Sequence, residues 1–552
     1  MTKKYLLLAV LFQFTMALTA QKAPQAKVAQ GTLEGKTLPS GVQSYLGIPY
    51  AQPPVNELRW VAPQPPKGWK GVRKATVFGN YPMQKNVFGD MIFRAPKMSE
   101  DCLYLNVWTP AKKPTEKLPV LVYFYGGGFV AGDGSENRYD GESLATRGIV
   151  TVTLNYRLGI FGFFSHPELT KESPNQSSGN YGLLDQNAAL LWVKKNIAAF
   201  GGDPDRITIA GESAGSISVS AHMVSPLSKN LIAGAIGQSG AMINPTYEAI
   251  LLSDGEAVGD RVFAKSGITS IAEMRKVTAE KLLEIGSDPF IDFKPRAVVD
   301  GYFLPNLPSA IFAVGEQAKV PLLVGWTSAE MPYTAFMQGQ FPSPENYKKV
   351  VKERFGDKSD ELLSLYPGNT VGEVVASATA LASDTFIVYS TWKWADDHRK
   401  YAPVFAYNFS KPRPPMKPEW KDSKVGLAGG ITKDANKKDG EKKDAKKEDK
   451  KMPDALVGAA HASDIEYVLG NLMTNPVYAW TPEDIKVSEN AQTYFSNFIK
   501  TGNPNEKGLP DWPVSIPGND LLLMDINTEL KLLKNHYTKR YIFLENYYNS
   551  KK

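Results

Sequence analysis

Arg206-Ile207-Thr208-Ile209-Ala210-Gly211-Glu212-Ser213-Ala214-Gly215-Ser216-Ile217-Ser218 is the stretch that decides the fold. Its first five residues form a strand-like run, and the small residues from Ala214 onward suit the start of a helix. Between them stands G-x-S-x-G, the pattern of a nucleophile elbow. So tight a turn needs flanking positions nearly free of side chain, which glycine supplies. The strain lifts the Ser213 hydroxyl above the sheet edge, where the helix N-terminus favours developing negative charge.

Alone, the pentapeptide is a weak signal. A serine hydroxyl is a poor nucleophile at neutral pH and needs a base, a group to orient that base, and donors for an oxyanion. Leu118-Pro119-Val120-Leu121-Val122-Tyr123-Phe124 is a strand-type run that ends in Tyr125-Gly126-Gly127-Gly128-Phe129. Three glycines after a strand let backbone N–H groups approach a ligand, as in the HGGG-type loop of an α/β-hydrolase. The expected oxyanion donors are the N–H groups of Gly127, Gly128 and Ala214. A phosphate-binding loop fits poorly, because no GK[ST] follows.

The chain has five histidines. In this fold the order is serine, acid, histidine, which excludes His166. His222 lies on the same predicted helix as Ser213 and reads as structural. His398 sits in Trp394-Ala395-Asp396-Asp397-His398-Arg399-Lys400 and reads as solvated. His536 lies in a basic C-terminal stretch. His461, in the small-residue loop Gly458-Ala459-Ala460-His461-Ala462, has the best context. The acid must fall between Ser213 and His461, at a strand end. Val320-Pro321-Leu322-Leu323-Val324-Gly325 reads as a buried strand leading to Glu330, the favoured acid. Asp300 is the alternative, but Asp300-Gly301 reads as a turn.

From about residue 27 to the C-terminus, one insertion aside, the chain resembles the type-B carboxylesterase family. That family includes the cholinesterases and the non-catalytic neuroligins. The resemblance is carried by Leu46-Gly47-Ile48-Pro49-Tyr50-Ala51, Glu100-Asp101-Cys102-Leu103-Tyr104-Leu105-Asn106-Val107 and Asn155-Tyr156-Arg157-Leu158-Gly159. Phe200-Gly201-Gly202-Asp203-Pro204, Gln238-Ser239-Gly240 and Thr501-Gly502-Asn503-Pro504-Asn505 add to it. It implies an α/β-hydrolase fold, with a mostly parallel central sheet, flanking helices and large insertions after the core strands. It implies a triad of Ser213, Glu330 and His461, with Glu212 and Ser239 as polar residues behind it. The implied activity is that of a serine carboxylesterase, acting on a small-molecule ester through an acyl-enzyme, with neither metal nor organic cofactor. A neuroligin-like binding protein would have lost the serine that this chain keeps. A specialist esterase for plant-wall or xenobiotic esters is the other alternative. Tyr125 replaces the histidine common in HGGG loops.

Two departures narrow the implication. Cys102 is the single cysteine, and Pro82 stands where many animal relatives carry its disulfide partner. Cys102 therefore reads as a small buried hydrophobe. Ile92 stands where cholinesterases carry the tryptophan that stacks on choline, so the aromatic face for a cation–π contact is missing. Phe129, Trp326 and Phe336 are candidate cavity-lining aromatics.

The 552 residues are 43% hydrophobic and 22% charged, ordinary for a globular protein. Residues 21–552 read as a single domain. Lys3 and Lys4, the apolar run Tyr5 to Phe14 and Leu18-Thr19-Ala20 read as a secretory signal over residues 1–20. The apolar run is too short to span a bilayer comfortably. With no lipobox cysteine and no apolar C-terminal tail, the expectation is export to the periplasm or medium without a membrane anchor. A lone cysteine in an exported chain suits a bacterial product.

Residues 413–453 are rich in Pro, Lys, Asp and Gly and read as a disordered insertion. Residues 433–452 hold nine lysines against six acids, a net of +3 within a whole-chain charge of +6. So modest a charge gives no ground for a nucleic-acid ligand. The insertion reads as a tolerated surface segment or as a basic tether for acidic polymers. If it is a tether, salt-sensitive retention on an anionic matrix disappears on deleting residues 414–452. Unchanged retention leaves only the tolerated segment.

Overall fold

The computed structural model describes residues 23–88, 91–420, 423–426, 431–432, 452–455, 458–534 and 537–551. The apolar runs of the sequence become neighbours in an eleven-stranded sheet. In chain order its strands are β1 (Lys36–Thr37), β2 (Gln43–Pro49), β3 (Tyr104–Thr109), β4 (Leu118–Phe124), β5 (Val150–Leu154) and β6 (Gly202–Glu212). There follow β7 (Gly234–Gln238), β8 (Leu322–Thr327), β9 (Val404–Phe409), β10 (Leu522–Ile526) and β11 (Lys531–Lys534). The spatial order is β11-β10-β9-β8-β7-β6-β4-β5-β3-β2-β1. The inner run from β5 to β10 is parallel throughout, and the edges are antiparallel. Every residue of β5, β7 and β8 is buried, as expected for parallel strands covered on both faces.

Helices cover the sheet. The ones that bear on the site are α1 (Tyr181–Asn196), α2 (Ala214–Val224), α3 (Val371–Ser383) and α4 (Tyr389–His398). A π-helical turn, Asp384–Val388, joins α3 to α4 into one continuous rod. By length and composition this rod would suit a membrane span, yet 61% of its apolar window is buried inside the protein. A buried ion pair fastens α1 to the loop after β5. Arg157 donates to Asp185 from its backbone N–H (3.0 Å), Nε (2.8 Å) and Nη2 (2.8 Å), and both side chains are inaccessible.

Two expectations are corrected. His398 is not solvated but fully buried, with Nε2 2.8 Å from the Val320 carbonyl and Nδ1 3.1 Å from Gln317 Nε2. Its charged sequence neighbours misled, because adjacent residues on a helix point to different faces. Burial pushes its pKa down. The insertion also begins later than residue 413. The Arg413 side chain is largely covered, Lys417 N–H bonds the Val477 carbonyl, and Ala479 N–H bonds the Pro415 carbonyl. Composition registers prolines and lysines but not the pairing of this strand-like segment with Val477–Ala479. At the far end, the Pro453 carbonyl accepts a hydrogen bond from the Tyr333 hydroxyl. The lysine-rich stretch 433–451, the signal at 1–20 and His536 lie outside the described residues.

Asp185→Asn would leave the Arg157 charge buried without its counter-charge. We expect it to cost about 3–5 kcal/mol, read from urea unfolding. A loss within experimental error would mean that this ion pair does not support the fold.

Candidate active site

At the C-terminal edge of the sheet, β6 passes into α2 through Ser213, whose φ is +55° and ψ −120°. Only glycine fits on either side of this crossing. A Cβ on Gly211 would lie 2.4 Å from the Gly215 carbonyl carbon, and one on Gly215 would lie 2.0 Å from the Phe124 carbonyl oxygen. The Ser213 N–H bonds the Gln238 carbonyl at 2.9 Å, which locks the elbow to β7. The serine side chain faces a cavity with a predominantly apolar lining that includes Met91, Ile217, Tyr247 and Ile387.

The glycine loop after β4 forms one wall of that cavity. Gly127 and Gly128 have φ of +113° and +63°, and a Cβ on Gly127 would lie 2.2 Å from the Ala131 carbonyl oxygen. The N–H groups of Gly127, Gly128 and Ala214 have no acceptor among the described residues. All three residues border the cavity with Ser213. Three backbone donors without a described acceptor thus belong to residues that line the Ser213 cavity.

His461 and Glu330 meet on the same edge. His461 Nδ1 lies 2.6 Å from Glu330 Oε2. Glu330 Oε1 accepts the Ser239 hydroxyl at 2.6 Å and the Thr327 N–H at 2.8 Å, so both carboxylate oxygens are held. The Ala329 N–H bonds the Ala459 carbonyl at 2.9 Å and joins the two loops directly. Behind them, Asp464 Oδ2 accepts from Gln238 Nε2 and from the Tyr407 hydroxyl, each at 3.0 Å. The other imidazole nitrogen, Nε2, lies 3.2 Å from Glu212 Oε1. The Ser213 hydroxyl makes no hydrogen bond with any described residue, and it shares the cavity with His461.

Three buried acids around one imidazole set its charge. Burial opposes the imidazolium, but Glu212, then Glu330 and Asp464, outweigh it and raise the His461 pKa to about 9. Burial raises the Glu212 carboxyl to about 8 against the pull of His461. The two groups exchange charge across one contact and titrate as a pair.

All the expected residues, Ser213, Glu330, His461, Gly127, Gly128, Ala214, Glu212 and Ser239, gather here. Asp300 does not: its Oδ1 accepts the N–H groups of Tyr302, Phe303 and Leu304, the turn that was read. His222 is buried on Gln186 and Ser228, a structural role. Cys102 is buried and free. Phe129 lines the cavity, whereas Phe336 is a core residue and Trp326 borders a different cavity. Sequence reasoning missed Phe386, whose ring meets the His461 imidazole edge-on at 5.1 Å and 78°. It also missed Arg413, whose Nη2 holds the Ala462 carbonyl (3.2 Å) and Glu466 (2.9 Å) beside His461.

The sequence profile of the carboxylesterase family matches residues 22–544. The chain is 33% identical over 509 residues to the fumonisin B1 esterase of Sphingopyxis macrogoltabida, covering 88% of this chain and 83% of that protein. It is 33% identical over 502 residues to the para-nitrobenzyl esterase of Bacillus subtilis (strain 168), covering 88% and 91%. A solved PNB esterase structure superposes with a TM-score of 0.76 at 30% identity, covering 95% of this chain and 99% of that one. The chain belongs to the carboxylesterase family. It is an α/β-hydrolase that hydrolyses carboxylic esters.

A base must be neutral to accept a proton, and the raised His461 pKa keeps the imidazolium to higher pH. The acid limb of kcat/KM is therefore expected above the ordinary histidine value of about 6.5. Glu212→Gln removes one supporting charge and moves that limb down by about one unit. A limb that stays in place in the variant would show that Glu212 does not set the charge of His461.

Proposed function

We propose that Ser213, His461 and Glu330 form the catalytic triad of this esterase, with Gly127, Gly128 and Ala214 as the oxyanion hole. The observation that carries the reading is the 2.6 Å contact between His461 Nδ1 and a Glu330 carboxylate already fixed by Ser239 and Thr327. Glu330 accepts the Nδ1–H, which leaves Nε2 as the basic nitrogen on the cavity side. His461 takes the Ser213 proton as the hydroxyl oxygen attacks the ester carbonyl. The loop N–H groups bind the oxyanion. His461 then gives the proton to the leaving alcohol, and water repeats the sequence on the acyl-enzyme. Catalytic hydrogen bonds are often long in a substrate-free site and tighten in the complex, which accounts for the unpaired Ser213 hydroxyl.

The apolar lining by Met91, Ile217, Tyr247 and Ile387 supports uncharged esters with a compact apolar acyl group. Two relatives are named for para-nitrobenzyl and fumonisin B1 esters, which marks aryl-type and natural polyfunctional esters as the first substrates to try.

Hydrolysis of p-nitrophenyl acetate and butyrate, beside the Ser213→Ala and His461→Ala variants, tests the triad. Each variant is expected to lose about 10⁴-fold or more in kcat while remaining folded. Loss of a single oxyanion donor would cost only about 10²–10³. Turnover that survives Ser213→Ala within tenfold would remove Ser213 from its role.

A further inference from the structure

A second cavity lies behind the π turn that carries Phe386. Its apolar wall comes from Trp326, Val388, Leu523 and Leu532. Its polar end is built around Arg540, on the C-terminal helix α5 (Thr538–Asn549). The guanidinium is held rigidly, with Cζ 4.5 Å from the Tyr366 ring centroid and 4.3 Å from that of Tyr537. Nε donates to the Leu365 carbonyl at 3.1 Å. The two Nη groups, which form the outer face of the fork, donate to no described residue, and no described carboxylate lies within ion-pair distance of Arg540. Lys534 adds a second positive charge at the rim.

The one acid in the lining is Asp384. Its Oδ2 accepts the Tyr366 hydroxyl at 2.8 Å. Burial pushes its carboxyl up to about 6, against the opposing pull of Tyr366 and Arg540. The cavity therefore combines a rigid guanidinium with no ion-pair partner among the described residues, a rim lysine and an apolar wall.

We propose that this cavity is a second ligand site, taking an amphipathic carboxylate whose head pairs with the Arg540 fork and whose chain lies on the Trp326–Leu532 wall. A planar guanidinium matches a carboxylate through two parallel N–H···O bonds, and stacking on aromatic rings reduces the entropy lost on binding. The acid released by ester hydrolysis has this chemistry. The site stands on its own geometry and does not depend on the triad assignment.

The test is calorimetric titration of sodium octanoate into the full chain, after its catalytic serine has been blocked with an organophosphonate so that the esterase cavity is filled. One octanoate is expected to bind per chain. Affinity should fall at least tenfold in Arg540→Gln and in Leu532→Asp. The second variant alters an exposed edge-strand position and separates loss of the site from loss of the fold. Absence of binding by the blocked parent, equal affinity in both variants, or equal affinity for 1-octanol would overturn the proposal. If the phosphonate leaves esterase activity intact, the failure belongs to the Ser213 assignment. The same variants compared without the block then decide the second site.

Discussion

A close approach of three backbone segments underlies the rest of the molecule. The Gly211 and Gly215 positions let β6 turn into α2 against the carbonyl of Phe124 at the end of β4, with no room for a methyl group at either. That contact places the Ser213 side chain and the glycine loop after β4 on one cavity. A left-handed φ at a serine costs of order 1–3 kcal/mol and persists only where the surroundings over-determine it. Here the Gln238 carbonyl, the α2 N-terminus and the sheet do so. The acid and histidine loops then arrive from the ends of β8 and β9 at the same sheet edge, and a backbone hydrogen bond between Ala329 and Ala459 keeps them in register.

Electrostatics builds on that frame. Burying three carboxyls near one imidazole is expensive unless each is paired or neutral. Glu330 and one oxygen of Asp464, Oδ2, are held by hydrogen bonds. Two buried carboxylate oxygens, Asp464 Oδ1 and Glu212 Oε1, have no hydrogen-bond partner among the described residues, and Glu212 Oε1 faces the imidazole Nε2. Glu212 favours the imidazolium, the form that the proposed mechanism requires of His461 once it has taken the serine proton. The consequence is a resting imidazole that holds its proton to higher pH, so stabilisation of the charged intermediate is gained partly at the expense of basicity near neutrality.

The elbow and the glycine loop were legible in the sequence because their geometry admits almost no other residue. The strands were legible as apolar runs, and Leu118–Phe124 matches its strand residue for residue. Glu330 and His461 needed two further aids, the chain order of the fold and the family resemblance, since an acid or a histidine in a loop carries no local signature. His398 was misread because its neighbours are charged, although it points the other way. Phe386 left no trace at all. A π turn adds one residue to the helical repeat and so rotates the register by roughly 100°, which periodic reading does not anticipate. The fastening of Arg413 onto Glu466 was hidden inside a segment whose composition resembles disorder.

The central claim is that Ser213 is the nucleophile which the elbow exists to present. The most direct measurement is stoichiometric inactivation with an organophosphonate, followed by mass-spectrometric location of the adduct in a protease digest. The account predicts one phosphonyl group per inactivated chain, on the Ser213 hydroxyl, with activity falling in step with labelling. Full inactivation with the adduct on any other residue would contradict it.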